Sequence, residues 1–594
     1  MAGYHGYTRG LCMFVAFSTV IVVLTVGSDA VVVSTNYGDV KGSEFLTSSV
    51  VGNAVFDRIF TFKGIPYAAP PVGELRWRPP QDPSGWSGVR DATEFGNRCL
   101  QMMDLDAEQF AAFLSDPIQK ELFLWRSASS SEDCLFLNVY TPKVSSESNL
   151  PVMVWIHGGG LSFGSGSTYP AEIPTALHNV VMVTINYRLG NMGFLPTLDE
   201  DAPGNFGILD MMKALQWVQA NIRNFGGDPN RVTIFGESGG GWAVSLLVLS
   251  PMATGLFHRA ISQSGVAGVM ITQKGDVRRT ENLAHIVDCT TASYDEMMSC
   301  LRGKPGQDVA AAMNEDFALM WNISAVVGGE FLPQSPWDLM TKRQVNRVDY
   351  LLGTNNYEFG DTMLEALEKT VVDEDGMTRA EIDENLPSDL HWFTDQFLNA
   401  DVNTIVQPVI DQYLDPDRPD DPIATRDQYI QLLIDMWFTA PTVLMAQAAA
   451  AQSVGVYQYE FQHRTSYFSS RPPRIQADHA DDLYYLFGMP LLLDDTGDSW
   501  KYNFTDEERE LSLDMMAYWV NFAANGNPND STGAARTRDT VNWPRHSTSS
   551  QEYLKLDVTS SADVKIRETR MKFWNEEIPR LLGKKVRITG SDEL

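Results

Sequence analysis

An α/β fold, with a large and mostly parallel twisted sheet flanked by helices, is predicted by three features of this chain. Val152-Met-Val-Trp-Ile156 and Val180-Val-Met-Val-Thr-Ile185 are continuous apolar runs, the pattern of strands covered on both faces. Asp210 to Arg223 brings Leu215, Trp217, Val218 and Ile222 onto or near one helical stripe. A third strand-like run, Arg231-Val-Thr-Ile-Phe235, follows the turn-forming Gly226-Gly-Asp-Pro229. Strand, helix and strand in that order require a right-handed crossover, and so parallel neighbours.

Taken in order, the chain opens with Arg9, an apolar run from Leu11 to Val26 and the small residues Ser28-Asp-Ala30. That is the form of a secretory signal, expected to be removed after about Ala30, and the run is short for a membrane span. Strand-like Val31-Val-Val-Ser-Thr35 follows at once. No other stretch approaches the roughly 18 uninterrupted apolar residues of a spanning helix, so no span is expected in the mature chain. The second half is more helical, with acidic loops at Val372 to Asp375 and Asp415 to Asp421. No linker, repeat or low-complexity segment divides residues 31–590, which are expected to form one catalytic unit. The final Ser591-Asp-Glu-Leu594 resembles a receptor-read retention address of the endoplasmic reticulum. The expected location is the lumen of that compartment, with a retention receptor as a partner, or secretion where the address is not read.

Composition narrows the function. Of 594 residues 44% are hydrophobic and 20% charged, an ordinary globular balance. A net charge of −31 argues against nucleic acid, whose phosphates need clustered Lys and Arg. Once Cys12 leaves with the signal, Cys99, Cys134, Cys289 and Cys300 remain, an even number suited to an oxidising compartment. Their spacing suggests bridges Cys99–Cys134 and Cys289–Cys300, among three possible connectivities. With no Cys-x-x-Cys and no Cys/His cluster, neither a metal nor an organic cofactor is called for. Asn322, Asn503 and Asn529 head sequons for glycosylation. The oligomeric state is not encoded legibly.

Chemistry concentrates at Gly236-Glu-Ser-Gly-Gly240, placed between the strand ending at Phe235 and an apolar helical stretch from Trp242 to Leu249. A serine on a strand-to-helix elbow is held in a strained turn with its hydroxyl above the sheet and a helix N-terminus beneath it, the nucleophile site of an α/β-hydrolase. Ser238 needs a base, and histidine has the pKa for it. His479, in Ala477-Asp-His-Ala480, and His463 both stand late enough in the chain, in the order serine, acid, histidine. The acid belongs after another strand. Tyr350-Leu-Leu-Gly353 qualifies, and Glu358, Asp361 and Asp373 follow it. His157-Gly-Gly-Gly160 stands directly after the strand ending at Ile156, where amides of Gly159 and Gly160, with that of Gly239, would bind an oxyanion. A phosphate-cradling loop is the rival reading, but neither a Walker lysine nor a G-x-G-x-x-G accompanies these glycines.

These motifs belong together. Phe62-Lys-Gly-Ile-Pro-Tyr-Ala68 with Leu75-Arg76, Ser131-Glu-Asp-Cys-Leu-Phe-Leu-Asn138, His157-Gly-Gly-Gly160 and Asn186-Tyr-Arg188 come in that order. Phe225-Gly-Gly-Asp-Pro229, Gly236-Glu-Ser-Gly-Gly240 and Gln263-Ser-Gly265 complete the set. The chain resembles the type-B carboxylesterases of the cholinesterase/carboxylesterase family over nearly all of the mature sequence. The resemblance implies an α/β-hydrolase fold, a triad of Ser238, Glu358 and His479, and both suggested disulfides. It further implies that Glu237 and Ser264 stand behind the triad, and that the substrate is a small-molecule ester.

Departures from the family pattern bear on substrate. Gly239 replaces the usual alanine after the nucleophile, which predicts a softer oxyanion loop, and Leu161 replaces a frequent phenylalanine. Glu358-Phe-Gly360 is carboxylesterase-like, whereas the aromatic that cholinesterases carry three positions past the acid is Asp361 here. Trp125 is near a cholinesterase-like cation position but one residue out of register, and Leu319-Met-Trp321 is a candidate acyl-pocket wall. Glu237 in place of glutamine argues against a juvenile-hormone esterase. The expected function is a serine ester hydrolase of broad specificity. A cholinesterase-like enzyme and a catalytically inactive neuroligin-like interaction protein are the alternatives.

Overall fold

Residues 31–46 form an antiparallel hairpin, β1 (Val31–Thr35) and β2 (Gly38–Leu46), at one edge of a 13-stranded sheet. Along the chain follow β3 (Arg58–Pro66), β4 (Phe136–Thr141), β5 (Leu150–Ile156), β6 (Val181–Ile185) and β7 (Gly227–Glu237). Then come β8 (Arg259–Gln263), β9 (Asp349–Asn355), β10 (Val456–Phe461), β11 (Glu552–Leu556) and β12 (Ser561–Val564). Their order in the sheet is β1-β2-β3-β4-β6-β5-β7-β8-β9-β10-β11-β12, with Val89–Asp91 added beside β2. The seven strands from β6 to β11 are parallel, and the remaining pairings along this order are antiparallel, while Val89–Asp91 runs parallel to β2. This computed structural model describes residues 31–584 apart from 49, 53, 102–128, 199–203, 269–270, 274–276, 316–322, 361–374, 395–396, 398–399, 419–420, 469–470, 495–496, 498 and 531–540.

The continuous apolar runs read as central strands because both faces of the sheet are covered. Val152, Val154 and Ile156 of β5 point into one core cluster, while Met153 and Trp155 between them enter another. Helices α1 (Phe206–Asn221) and α2 (Gly239–Leu249) serve the first cluster. A 20-residue helix, Asp506–Asn525, closes the second, and Thr505 with Glu508 forms a capping box at its start. Alternation thus sends successive side chains to opposite cores, with no polar face left on the strand.

Local boundaries depart from the sequence reading in physically simple ways. Strand β7 begins at Gly227 rather than Arg231, its pairing with β5 shifting register between Gly227 and Val232. Helix α2 starts at Gly239, ahead of its apolar stretch, since the elbow sets the first turn before any hydrophobic period begins. The disulfides are Cys99–Cys134 and Cys289–Cys300. Among the described residues one helical run, Pro422–Ala450, is long and apolar enough to cross a membrane, but 89% of its apolar window is buried inside the fold. The signal segment, the C-terminal tetrapeptide, Asn322, Trp125, Leu319 to Trp321, Asp361 and Asp373 lie outside the described residues.

The Asn186-Tyr-Arg188 motif fastens the loop after β6 to α1. Arg188 reaches Asp210 through two parallel hydrogen bonds of 2.8 and 2.7 Å, and its backbone amide donates to the same carboxylate at 3.0 Å. Both side chains are buried, and burial raises the Asp210 carboxyl against the pull of Arg188. Arg188→Met strands that carboxylate in the core and is expected to cost about 3–5 kcal/mol in denaturant unfolding. A loss within 1 kcal/mol of zero, about the worth of an exposed pair, would refute this role.

Candidate active site

Four loops at the carboxyl ends of parallel strands supply the site, where open α/β sheets place their ligands. Ser238 follows β7 directly, His157 to Gly160 follow β5, Glu358 stands three residues past β9, and His479 lies on the connection after β10.

Ser238 sits at φ 55° and ψ −126°, a conformation that L-residues rarely adopt. Three backbones converge on it, which is why glycines surround it. A Cβ on Gly240 would stand 2.0 Å from the Ile156 carbonyl, one on Gly236 2.6 Å from the same oxygen, and one on Gly265 2.1 Å from the Ser238 carbonyl. The turn is secured by Ser238 N donating to Gln263 O and Trp242 N donating to Ser238 O, each at 2.9 Å. Residues Val232 to Leu249 are buried with Ser238 as the half-buried exception, so the elbow presents this side chain outward. The start of α2 beneath it adds the positive end of a helix dipole.

The glycine loop lies against this turn. Gly159 and Gly160 have φ of 92° and 56°, and a Cβ on Gly159 would collide with the Phe163 carbonyl at 2.3 Å. A Cβ on Gly239 would stand 3.2 Å from Gly160 N and 3.0 Å from Leu161 N, so the two segments touch. Among the described residues the amides of Gly159, Gly160 and Gly239 donate to no protein acceptor. Three free N–H groups on two touching segments are the kind of donors that an anion nest requires. An alanine methyl at 239 would press on the loop at these distances, so the loop would have to give by a few tenths of an ångström to admit it. His157 anchors the loop from below: its ring stacks on Tyr187 at 4.3 Å and Tyr187 Oη donates to its carbonyl at 2.7 Å. Burial lowers the His157 imidazole to about 4, so it is neutral.

Glu358 and His479 meet, 121 residues apart, in a 2.6 Å hydrogen bond from Nδ1 to Oε2, with Glu358 fully buried. The other carboxylate oxygen accepts Asn355 N at 2.6 Å. The two loops are laced together by Asn355 Nδ2 to Asp478 O (2.6 Å), Tyr357 N to Ala477 O (3.0 Å) and Gly360 N to Asp478 Oδ1 (3.0 Å). Gly360 is required there, since its Cβ would fall 2.4 Å from the Asp478 carboxyl. Asp478, which sequence reasoning passed over, also takes the His479 amide at 2.7 Å. Phe438 packs on the His479 ring at 5.2 Å, and nothing in its local sequence marks it.

The other ring nitrogen faces an unexpected neighbour. His479 Nε2 is 3.2 Å from Glu237 Oε1, and neither atom has a hydrogen-bond partner among the described residues. The bond from Ser238 to Nε2 is not formed. A serine hydroxyl moves by simple rotation, and such bonds commonly tighten only around substrate. Burial raises the Glu237 carboxyl to about 8. Burial opposes charge on His479 too, but Glu237, then Glu358 and Asp478, outweigh it and lift the imidazole to about 9. A proton placed on Glu237 removes the largest of those attractions and frees Nε2 as a neutral base. Ser264, at φ 48° directly after β8, is buried, and among the described residues its hydroxyl has no partner.

His463 is occupied elsewhere. Its nitrogens contact Asp557 at 2.9 Å and Glu508 at 3.0 Å, 94 and 45 residues away in sequence. It therefore lies in a structural ion pair.

Residues 29–574 match the model of the carboxylesterase family. The chain belongs to that family. It is 39% identical to a medium-chain fatty acyl-CoA hydrolase precursor of Anas platyrhynchos over 93% of each chain. It is also 39% identical to carboxylesterase 3B of Mus musculus, over 96% of this chain and 94% of the relative. Cocaine esterase of Homo sapiens is a third relative at 39%, covering 90% of this chain and 91% of its own length. As a carboxylesterase-family member, the chain is a carboxylic-ester hydrolase with an α/β-hydrolase fold.

Two pH dependences follow. Asp557 and Glu508 outweigh burial and raise His463 from 6.5 to about 9, so its stabilisation is complete below pH 6.5 and is lost as pH rises through about 9. Scanning calorimetry of His463→Gln is expected to show a flatter fall of Tm over that window than wild type, and parallel curves would contradict it. With His479 as the base that the sequence predicts, the neutral imidazole is the working form, so kcat/KM is expected to rise with pH along a limb displaced above the ordinary 6.5. Glu237→Gln removes the largest raising influence and moves the limb down, whereas an unmoved limb would exclude the coupling.

Proposed function

We propose that the chain hydrolyses esters through an acyl-enzyme, with Ser238 as nucleophile, His479 as base and Glu358 as the group that orients it. Ser238 Oγ attacks the ester carbonyl carbon while its proton passes to His479 Nε2. Glu358 fixes the tautomer with Nδ1 protonated and stabilises the imidazolium as it forms. The carbonyl oxygen, now negative, receives the amides of Gly159, Gly160 and Gly239. Collapse of the intermediate breaks the C–O bond, and the leaving alkoxide takes the proton from His479. Water then attacks the acyl carbon, giving its proton to His479, and the second collapse returns the proton to Ser238 and releases the acid.

The observation that carries this reading is the buried 2.6 Å bond between Glu358 and His479 beside a half-buried serine on its elbow and three free amides. Broad tolerance for small to medium acyl esters fits relatives whose names cover acyl-CoA, cocaine and pyrethroid substrates. A cholinesterase-like preference and an inactive, neuroligin-like role are the lesser readings. For location we favour the lumen of the endoplasmic reticulum, from the signal-like start and Ser591-Asp-Glu-Leu594. Of the described sequons, Asn503 is exposed, while the Asn529 side-chain nitrogen is engaged by Asn527 Oδ1 and Trp543 O. Asn503 is the better glycan acceptor.

Ser238→Ala is expected to lower kcat on p-nitrophenyl butyrate by on the order of 10⁴- to 10⁶-fold. A fluorophosphonate probe should label wild type at Ser238 and leave the variant unlabelled. Retained turnover, or labelling at another residue, would defeat the assignment. Choline esters cleaved far faster than neutral butyrates would instead favour the cholinesterase-like reading.

A further inference from the structure

A break in a helix lies directly behind the histidine. Helix α3 (Pro422–Ile434) and helix α4 (Ala440–Ala450) are joined by a wide turn, Asp435–Thr439, in which Ala440 N donates to Asp435 O, five residues back. Such π turns cost regular helical pairing and persist where the surroundings hold them. This one carries Phe438, whose ring packs on His479 at 5.2 Å and on Phe359, the residue after Glu358, at 5.7 Å. Trp437 meets the same Phe359 ring at 6.3 Å. The turn therefore backs both loops that carry the acid and the base.

What holds it comes from the far C-terminal part of the fold. Arg567 contacts the first and last residues of the turn: its Nε is 3.1 Å from Asp435 Oδ1, and its Nη2 donates to Thr439 Oγ1 at 2.7 Å. The same guanidinium pairs with Glu460 of β10 at 3.1 Å. Arg570 Nε takes the other Asp435 oxygen at 2.9 Å, and Tyr413 Oη donates to it at 2.8 Å. Trp574 Nε1 donates to Tyr413 Oη at 2.7 Å, and Asn575 Nδ2 donates to Ala440 O at 2.9 Å. Asp435 is fully buried, so its charge needs these partners. Arg567 itself stands at φ 42°, a left-handed conformation with which the chain begins the helix Glu568–Lys572.

We propose that Arg567 is a positioning residue for catalysis: by tying Asp435 to Thr439 it holds the π turn that seats Phe438 against His479 and Phe359. The proposal rests on the triad reading above. Phe438 limits the tilt of the imidazole, and that tilt decides whether Nε2 addresses Ser238 or remains on Glu237. Release of the clamp lets the turn relax and the ring swing, so chemistry slows while ester binding is unaffected. A residue serving stability alone would lower Tm without touching kcat well below the transition.

The test is a double-mutant cycle on the purified mature chain with p-nitrophenyl butyrate, run well below each variant's Tm. Arg567→Met is expected to lower kcat on the order of 10- to 100-fold with KM little changed. In a Phe438→Ala background the same substitution is expected to cost little more, because the ring through which it acts is gone. Wild-type kcat in Arg567→Met overturns the proposal, as do losses that simply multiply in the double variant. Should Arg567→Met fail to fold, Thr439→Val removes one end of the clamp. It must then lower kcat less severely, and only while Phe438 is present; an equal loss in both backgrounds overturns the clamp. Ser238→Ala separates the two levels. If it stays active the triad reading fails, whereas an inactive Ser238→Ala beside a fully active Arg567→Met sinks only the clamp.

Discussion

A left-handed serine wedged between a strand and a helix is the constraint from which the rest of this molecule is arranged. At φ 55° and ψ −126° Ser238 holds a conformation that costs about 1–3 kcal/mol, and the surrounding structure must over-determine it. It does so through close backbone approach. Gly236 and Gly240 bring the turn onto the Ile156 carbonyl, and Gly265 brings the next strand's loop onto the Ser238 carbonyl. That crowding aligns the carboxyl ends of β5, β7 and β8. It also brings the glycine loop after β5 within reach of the first amide of α2.

Charge is the second theme of the site. Glu237, Glu358, Asp478, Asp481 and Asp482 are all buried around one imidazole. Burial lifts Glu237 to about 8, Asp481 to about 7 and Asp482 to about 6, so the cluster keeps protons where exposed carboxyls would not. Arg471 meets Asp481 at 2.7 Å, and Gln263 bridges Asp482 (2.7 Å) and Trp519 (3.0 Å). These contacts explain the Gln263-Ser-Gly265 motif: the side chain at 263 organises buried acid, the backbone at 264 turns left-handed, and the glycine at 265 makes room. They also make His479 responsive to a proton held by its neighbour.

The parts of this arrangement that depend on short-range geometry were legible in the sequence. The glycines around Ser238 and at 158 to 160 are there because backbone must pass backbone, and that need leaves a local signature. Strands β5 and β6 announced themselves as unbroken apolar runs because both their faces are covered. The choice of His479 over His463 had no local signature, since it turns on Asp557 and Glu508, which are distant in sequence. Likewise the contact between Glu237 and His479, the zipper through Asp478, and the Arg567 clamp join segments more than 100 residues apart, which only tertiary packing brings together. Phe438 reads as ordinary apolar helix, because a π turn differs from an α turn by one hydrogen bond and not by composition.

The most direct test is a crystal structure of the enzyme bearing a phosphonate on its nucleophile. The account predicts a covalent bond from phosphorus to Ser238 Oγ, with the phosphoryl oxygen inside the amides of Gly159, Gly160 and Gly239. It also predicts that Nε2 of His479 has left Glu237 for the bridging oxygen while Nδ1 keeps Glu358. An adduct whose phosphoryl oxygen points away from those amides, or whose imidazole stays on Glu237, would contradict it.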